Sequence, residues 1–69
     1  MNKEELIKEV NKFLHKHNDK EFEMMDYNYR IIDNKLYFLG KQTDVIIEDN
    51  LNFWSIETLK LLLLTLTLL

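Results

Sequence analysis

"EFEMMDYNYRIIDNKLYFLG", residues 21–40, is the stretch that decides the fold of this chain. Apolar and polar side chains alternate through most of it with a period of two, which is typical of β-strands with one buried face. Asp33 and Asn34 interrupt the alternation, and both residue types tolerate the positive φ angles of a tight hairpin turn. The pattern predicts two antiparallel strands, one over residues 22–32 and one over residues 35–39.

The beginning of the first predicted strand does not follow the same alternation as its end. Phe22 and Met24 have the opposite phase to Tyr27 and Tyr29. Two explanations are open at this point. Either both faces of the strand are covered near Phe22, or a β-bulge near Met24 shifts the register of the strand.

The residues before this stretch predict a helix over residues 2–17. Asn2 is a good N-cap, and Glu5 follows three residues later, as in a capping box. Charged residues occupy one face of the predicted helix. Apolar residues recur at helical spacing on the other face: Leu6, Ile7, Val10, Phe13 and Leu14.

A second helix is predicted over residues 53–68. Asn52 or Ser55 can cap it, and Glu57 suits the positive end of the helix dipole. One apolar stripe along this helix is expected to face the sheet, and it consists of Ile56, Leu59, Leu63 and Leu66.

Together these elements predict one α+β domain over residues 1–69. A third strand is expected over residues 44–48 ("DVIIE"), after a turn with the only glycine. The predicted order is helix–strand–strand–strand–helix, with a three-stranded antiparallel meander packed against two helices. A chain of this length buries only roughly 60% of the surface that its unfolded form exposes, so association would add stability.

The chain closes with "LKLLLLTLTLL", residues 59–69, which contains eight leucines, two threonines and one lysine. A helix that is apolar on all sides needs burial on all sides, which favours a partner or self-association surface. Alternatively, a thin core uses most of these leucines, or the chain is truncated or frame-shifted here. The unbroken apolar run is too short to span a membrane, which takes about 20 residues. "LTLTL" also fits an edge strand, although the high helix propensity of leucine favours a helix.

The residue types that carry most enzyme chemistry are missing or scattered. The chain has no cysteine, no glycine-rich phosphate loop and no Ser/His/Asp order. His15 and His17 would lie about 200° apart on a helix and could not bind one metal ion together. Most acidic residues fall at predicted strand ends and turns. We therefore predict no catalytic site, no metal site and no cofactor.

The net charge of −3 lies entirely in the middle of the chain. Residues 20–50 carry seven acidic and four basic side chains, and the charges of the two flanking segments cancel. A protein that binds nucleic acid by neutralising phosphates should show the opposite sign. An acidic face could instead imitate nucleic-acid phosphates and occupy a basic groove on another protein.

The element order and the length resemble the double-stranded-RNA-binding domain, over nearly the whole chain. That resemblance implies a basic cluster at the start of the last helix, where lysines meet RNA phosphates. The corresponding stretch here is "SIETLKLL", in which Glu57 is acidic and Lys60 is the only basic residue. This departure from the family's pattern favours protein pairing over RNA binding.

We expect a small, non-enzymatic, cytoplasmic protein that regulates or inhibits a larger protein. The size and composition of this chain are like those of phage and mobile-element regulators. Homodimerisation through the leucine-rich end is the other form of the same prediction. Large aromatic, arginine and leucine side chains are the expected contacts because such residues anchor protein interfaces. The predicted partner-binding residues are Tyr27, Tyr29, Arg30, Tyr37, Trp54, Leu62, Leu64, Leu66, Leu68 and Leu69.

Overall fold

The computed structural model describes residues 1–40 and 47–69 of the chain. The predicted α+β class and the placement of the strands between two helices are confirmed. Among the described residues, however, the sheet has four strands rather than three. In chain order the elements are α1 (Lys3–Lys16), β1 (Glu21–Met24), β2 (Tyr27–Ile32), β3 (Lys35–Gly40), β4 (Ile47–Glu48), a 3-10 turn (Leu51–Phe53) and α2 (Ile56–Thr67).

The single strand predicted over residues 22–32 is in fact a hairpin. Met25 and Asp26 form its turn with φ angles of 53° and 68°, and Met24 pairs with Tyr27 across it. Both earlier explanations of the phase change were therefore wrong, because the chain reverses between the two halves. The turn was not predicted because methionine is sterically disfavoured in a left-handed conformation and is not a usual hairpin-turn residue.

The second hairpin turn was predicted correctly. Asp33 and Asn34 have φ angles of 50° and 64°, and Ile32 pairs with Lys35 on either side of them. The backbone N–H of Asn34 also donates a hydrogen bond of 3.0 Å to Oδ1 of Asn18. This bond ties the turn to the loop that follows α1.

The four strands form an antiparallel meander in the order β1-β2-β3-β4. The strand predicted over residues 44–48 corresponds to β4, and its first three residues lie outside the described part of the chain. Both helices cover the same face of the sheet, and α1 packs against α2 and β3. The core between these layers consists of Leu6, Val10, Leu14, Phe22, Met24, Tyr29, Ile31, Leu36, Leu51, Leu59, Leu62 and Leu66.

The first helix closely matches its prediction. Oδ1 of Asn2 accepts a hydrogen bond of 2.9 Å from the backbone N–H of Glu5, as expected of an N-cap. Leu6, Val10 and Leu14 are buried at the predicted helical spacing. Their side chains pack into the common core of the domain.

The second helix begins at Ile56, three residues later than predicted, because residues 51–53 form a separate 3-10 turn. Ser55 is its N-cap and accepts a hydrogen bond from the backbone N–H of Thr58. The predicted inward stripe was partly wrong, since Ile56 is exposed and Leu62 is buried. Leu59 and Leu66 of the predicted stripe are buried, and Leu63 is partly buried against the core.

The end of the chain is helical, so the edge-strand alternative was wrong. The hydroxyl of Thr65 donates 2.8 Å to the carbonyl of Leu61, and that of Thr67 donates 2.7 Å to the carbonyl of Leu64. These bonds to earlier carbonyls require helical geometry. Neither helix that the structure describes is both long enough and apolar enough to cross a membrane.

Candidate interaction surfaces

The predicted aromatic contacts lie on two opposite faces of the sheet. Tyr27 and Tyr29 belong to the face covered by the helices, and Tyr29 is only 5% exposed. Arg30 follows Tyr29 and therefore points to the opposite, open face, where it is paired with Tyr37 of β3. The predicted set therefore does not form one surface.

An aromatic groove of about 510 Å³ opens where the covered face extends beyond the helices. It lies between the sheet, the 3-10 turn and the start of α2. Phe53 is 87% exposed and Ile47 is 56% exposed in its wall. The apolar side chains that define the groove are Met25, Tyr27, Phe38, Ile47, Phe53 and Trp54.

Packed rings hold the floor of the aromatic groove in place. The Tyr29 ring meets Phe38 edge to face at a centroid distance of 5.6 Å, and it meets Trp54 in the same way at 6.0 Å. The Tyr27 ring also packs against Phe38, at a centroid distance of 5.3 Å. Such aromatic pairs contribute about 0.5–1.5 kcal/mol each beyond their buried area, so the groove is largely preformed.

Asp49 is the only charged side chain that lines the aromatic groove among the described residues. Its Oδ1 accepts a hydrogen bond of 3.1 Å from the indole N–H of Trp54, which fixes the orientation of that ring. Burial raises the pKa of Tyr29 above its ordinary value of 10.0, and the charge of Asp49 and the neighbouring Tyr27 raise it further. Tyr29 therefore stays neutral at physiological pH, and the groove combines apolar walls with one carboxylate.

The open face of the sheet has a different character. Glu21, Arg30, Tyr37 and Glu48 form one row across its four strands, and the carboxylate of Glu48 lies 3.6 Å from the ammonium group of Lys35. Charged and polar side chains of this kind are typical of a solvated sheet face. Arg30 and Tyr37 are therefore less suited to an apolar contact than the sequence suggested.

The predicted leucine contacts divide between the two sides of α2. Leu62 and Leu66 are 0% exposed and belong to the core, so they are not accessible to a partner. Leu64 and Leu68 lie on the outward side and are 57% and 79% exposed. Leu61 lies beside them, and we call the surface formed by Leu61, Leu64 and Leu68 the leucine stripe. Leu69, just beyond the helix, is 41% exposed.

The histidines and the acidic side chains do not form a site. Among the described residues, no three His, Cys, Asp or Glu side chains are close enough to hold a metal ion. His15 is exposed at the end of α1, whereas His17 stacks on Phe13 at a centroid distance of 6.5 Å. The Nδ1 atom of His17 is buried without a hydrogen-bond partner.

Three residues that line the aromatic groove were not among the predicted contact residues: Met25, Ile47 and Phe53. Met25 was assigned to a strand interior, and the other two were assigned to the ends of elements, where burial has no periodic signal. If the hairpin turn at residues 25–26 had been predicted, the exposure of Met25 would have followed from it.

Comparisons of the chain with protein-family models, with curated proteins and with solved structures found no match.

Proposed function

We propose that this chain is a small, non-enzymatic protein-interaction module that regulates or inhibits a larger protein. The observation that carries the proposal is the aromatic groove, where four large apolar side chains are exposed side by side: Met25, Tyr27, Ile47 and Phe53. Contiguous exposed apolar patches on soluble domains usually mark contact sites, because exposing them to water is unfavourable.

The composition of the aromatic groove supports a protein partner. Tyrosine, tryptophan, phenylalanine and methionine are the residue types enriched in the centre of protein interfaces. The ring contacts of Tyr29 and the hydrogen bond of Trp54 keep the surface ordered before binding, which lowers the entropy cost of association. The carboxylate of Asp49 favours a partner segment that carries a basic side chain beside its apolar residues.

The cytoplasmic location and the kind of regulator are part of the same proposal. The absence of cysteine is in keeping with a cytoplasmic protein. A regulator of this size works by occupying a surface of a larger protein, as phage and mobile-element regulators do. The leucine stripe offers a second apolar contact, to a partner or to another copy of the chain.

Nucleic-acid binding has weaker support. Lys8, Lys12 and Lys16 follow one side of α1 at intervals of four residues, and such a row could meet phosphates. The carboxylate of Glu9 lies 2.9 Å from the ammonium group of Lys12 and reduces the charge of that row. The start of α2, where the double-stranded-RNA-binding pattern expects lysines, has Glu57 in its first turn.

The experiment that tests the proposal is affinity capture from nuclease-treated lysate of the source cells, with two matched variants. Phe53→Ser changes the most exposed residue of the aromatic groove, and Leu64→Ser makes the same change on the leucine stripe. We expect one stoichiometric protein that is retained by the wild type and the Leu64→Ser variant and lost by the Phe53→Ser variant.

Two outcomes would contradict this proposal. If both variants retain the captured protein, the aromatic groove is not the contact site. If no form of the chain captures a protein, and the chain binds duplex RNA tightly at about 0.15 M salt, the nucleic-acid alternative replaces the proposed function.

A further inference from the structure

Three carboxylates lie in or beside the aromatic groove on the part of the chain that the structure describes. Asp49 lines the groove. Asp26 belongs to the β1–β2 turn that forms one of its walls, and Glu57 belongs to the first turn of α2, which forms another. Both of these side chains are exposed. The surroundings of the groove therefore carry negative charge.

Basic side chains of the described residues do not cancel this charge at the groove. Arg30 is next to the lining residue Tyr29 in sequence, but it points to the open face of the sheet. Lys60 follows the lining residue Thr58 by two positions, which places it about 200° away around α2. Residues 41–46 add one lysine and one aspartate, whose charges cancel. A partner segment that carries positive charge is therefore favoured over an acidic one.

The carboxylate of Asp49 is held beside an aromatic ring. Its Oδ1 accepts the hydrogen bond of 3.1 Å from the indole N–H of Trp54, and Trp54 also lines the groove and is only partly buried. A carboxylate has about four lone-pair positions, so one bond leaves acceptor capacity for a ligand. Tryptophan is the aromatic side chain that attracts a cation most strongly. A cation that pairs with Asp49 is therefore within reach of the ring most favourable to it.

An arginine side chain fits this arrangement better than a lysine. The guanidinium group is planar, stacks on an aromatic face and donates several N–H groups in a fixed fork, so it can contact the ring and the carboxylate together. The lysine ammonium group is a compact and strongly hydrated point charge, so placing it against apolar walls costs more free energy. The groove thus favours the larger and more weakly hydrated cation.

The apolar walls determine what must accompany the arginine. Phe53 and Ile47 are 87% and 56% exposed at the groove, and covering them calls for apolar side chains next to the cation. The groove has a volume of about 510 Å³, within the range of roughly 300–1,000 Å³ for sites that enclose small ligands. A short peptide segment fills a space of this size, whereas the face of a folded domain does not enter it.

We infer that the aromatic groove binds a short peptide segment of the larger partner in which an arginine is flanked by apolar residues. Its guanidinium group pairs with Asp49 and stacks on Trp54, while its apolar neighbours cover Phe53 and Ile47. The inference rests on the proposed function, because it names the chemistry of the partner that occupies the same site.

Titration with blocked tripeptides tests the inference, and the fluorescence of Trp54, the only tryptophan of the chain, is the signal. The probe has an arginine between two leucines. Three matched peptides have citrulline, lysine or glutamate in the central place, and citrulline is an uncharged analogue of arginine with nearly the same shape. The arginine peptide should bind about tenfold more tightly than the citrulline peptide, since a hydrogen bond to a charged group is worth roughly this factor. It should also bind more tightly than the lysine peptide, and the glutamate peptide should bind most weakly.

Two matched variants assign the preference to Asp49. Asp49→Asn removes the charge and keeps a side-chain oxygen that can accept the indole N–H, so it should abolish the preference for arginine over citrulline. Glu48→Gln removes one carboxylate from the neighbouring residue, which belongs to the open face of the sheet, and should leave the preference unchanged. The indole N–H resonance of Trp54 in an NMR spectrum shows whether each variant is folded.

Equal affinities for the arginine and citrulline peptides, or a preference for lysine or glutamate, would overturn the inference. So would an arginine preference that survives Asp49→Asn. If no tripeptide binds at about 1 mM, the groove does not take a linear arginine segment, and the inference fails. In each of these cases a protein that is captured in a Phe53-dependent way leaves the proposed function standing, whereas loss of that capture as well would refute both.

Discussion

The two apolar sides of α2 predict losses of stability of very different size for the same substitution. Leu62 is 0% exposed, so Leu62→Ala removes buried atoms and leaves a cavity, at a cost of about 3 kcal/mol in unfolding free energy. Leu64 is 57% exposed, so Leu64→Ala loses only a minor part of a side chain's burial energy and should cost less than about 1 kcal/mol. Alanine is also a slightly better helix former than leucine, which reduces the second cost further.

Urea unfolding followed by circular dichroism and by the fluorescence of Trp54 measures this difference. A chain of 69 residues has on the order of 3–10 kcal/mol of stability in total, so Leu62→Ala should remove a third or more of it. In a thermal scan the same loss should lower the melting temperature by about 12–24 °C. The protein should be kept near 5 µM, so that any self-association does not contribute.

Equal costs for Leu62→Ala and Leu64→Ala would refute the orientation of α2 described above. A larger cost at Leu64 would show that the helix presents its other side to the sheet. In that case the leucine stripe would be part of the core, and the description of α2 as a helix with one covered and one exposed apolar side would be wrong.

Two further predictions concern the aromatic groove and its neighbouring turn. Because the folded state raises the pKa of Tyr29 above 10.0, the unfolded chain releases this proton first, and stability should fall as the pH rises from 10 through the raised value. Tyr29→Phe should abolish that part of the fall in urea unfolding between about pH 8 and pH 11. Replacing Met25 and Asp26 by Asn-Gly, the preferred pair for a turn with two positive φ angles, should raise the unfolding free energy by about 1 kcal/mol; a loss of stability would contradict the turn geometry.

Local patterns predicted the elements whose signals repeat along the chain. The N-cap at Asn2 and the buried face of α1 follow from helical spacing, and the Asp33–Asn34 turn follows from residue types that accept positive φ. The hairpin at Met25–Asp26 was missed because methionine carries no such preference. Pairing of β1 with β2 stabilises the turn, and pairing is a property of two segments rather than one.

The candidate contact residues were predicted less well than the fold. Residue type selected Tyr27, Trp54, Leu64 and Leu68 as contacts, and the structure places all four at or near the surface. It could not separate them from Leu62, which has the same chemistry and lies in the core. Exposure depends on the rotation of α2 about its axis, and a run of leucines on all sides leaves that rotation undetermined.

The sequence by itself determined the helices, the alternating strands, the asparagine-containing turn and the acidic middle of the chain. These properties depend on neighbours within a few residues, where spacing and backbone preference act directly. Only the tertiary structure decided that the described part of the chain forms four strands, that Tyr29 lies beneath an open aromatic groove, and that Leu61, Leu64 and Leu68 remain outside. The physical reason is that burial is shared between segments distant in sequence, so which side of a helix or strand becomes covered is settled only when they pack.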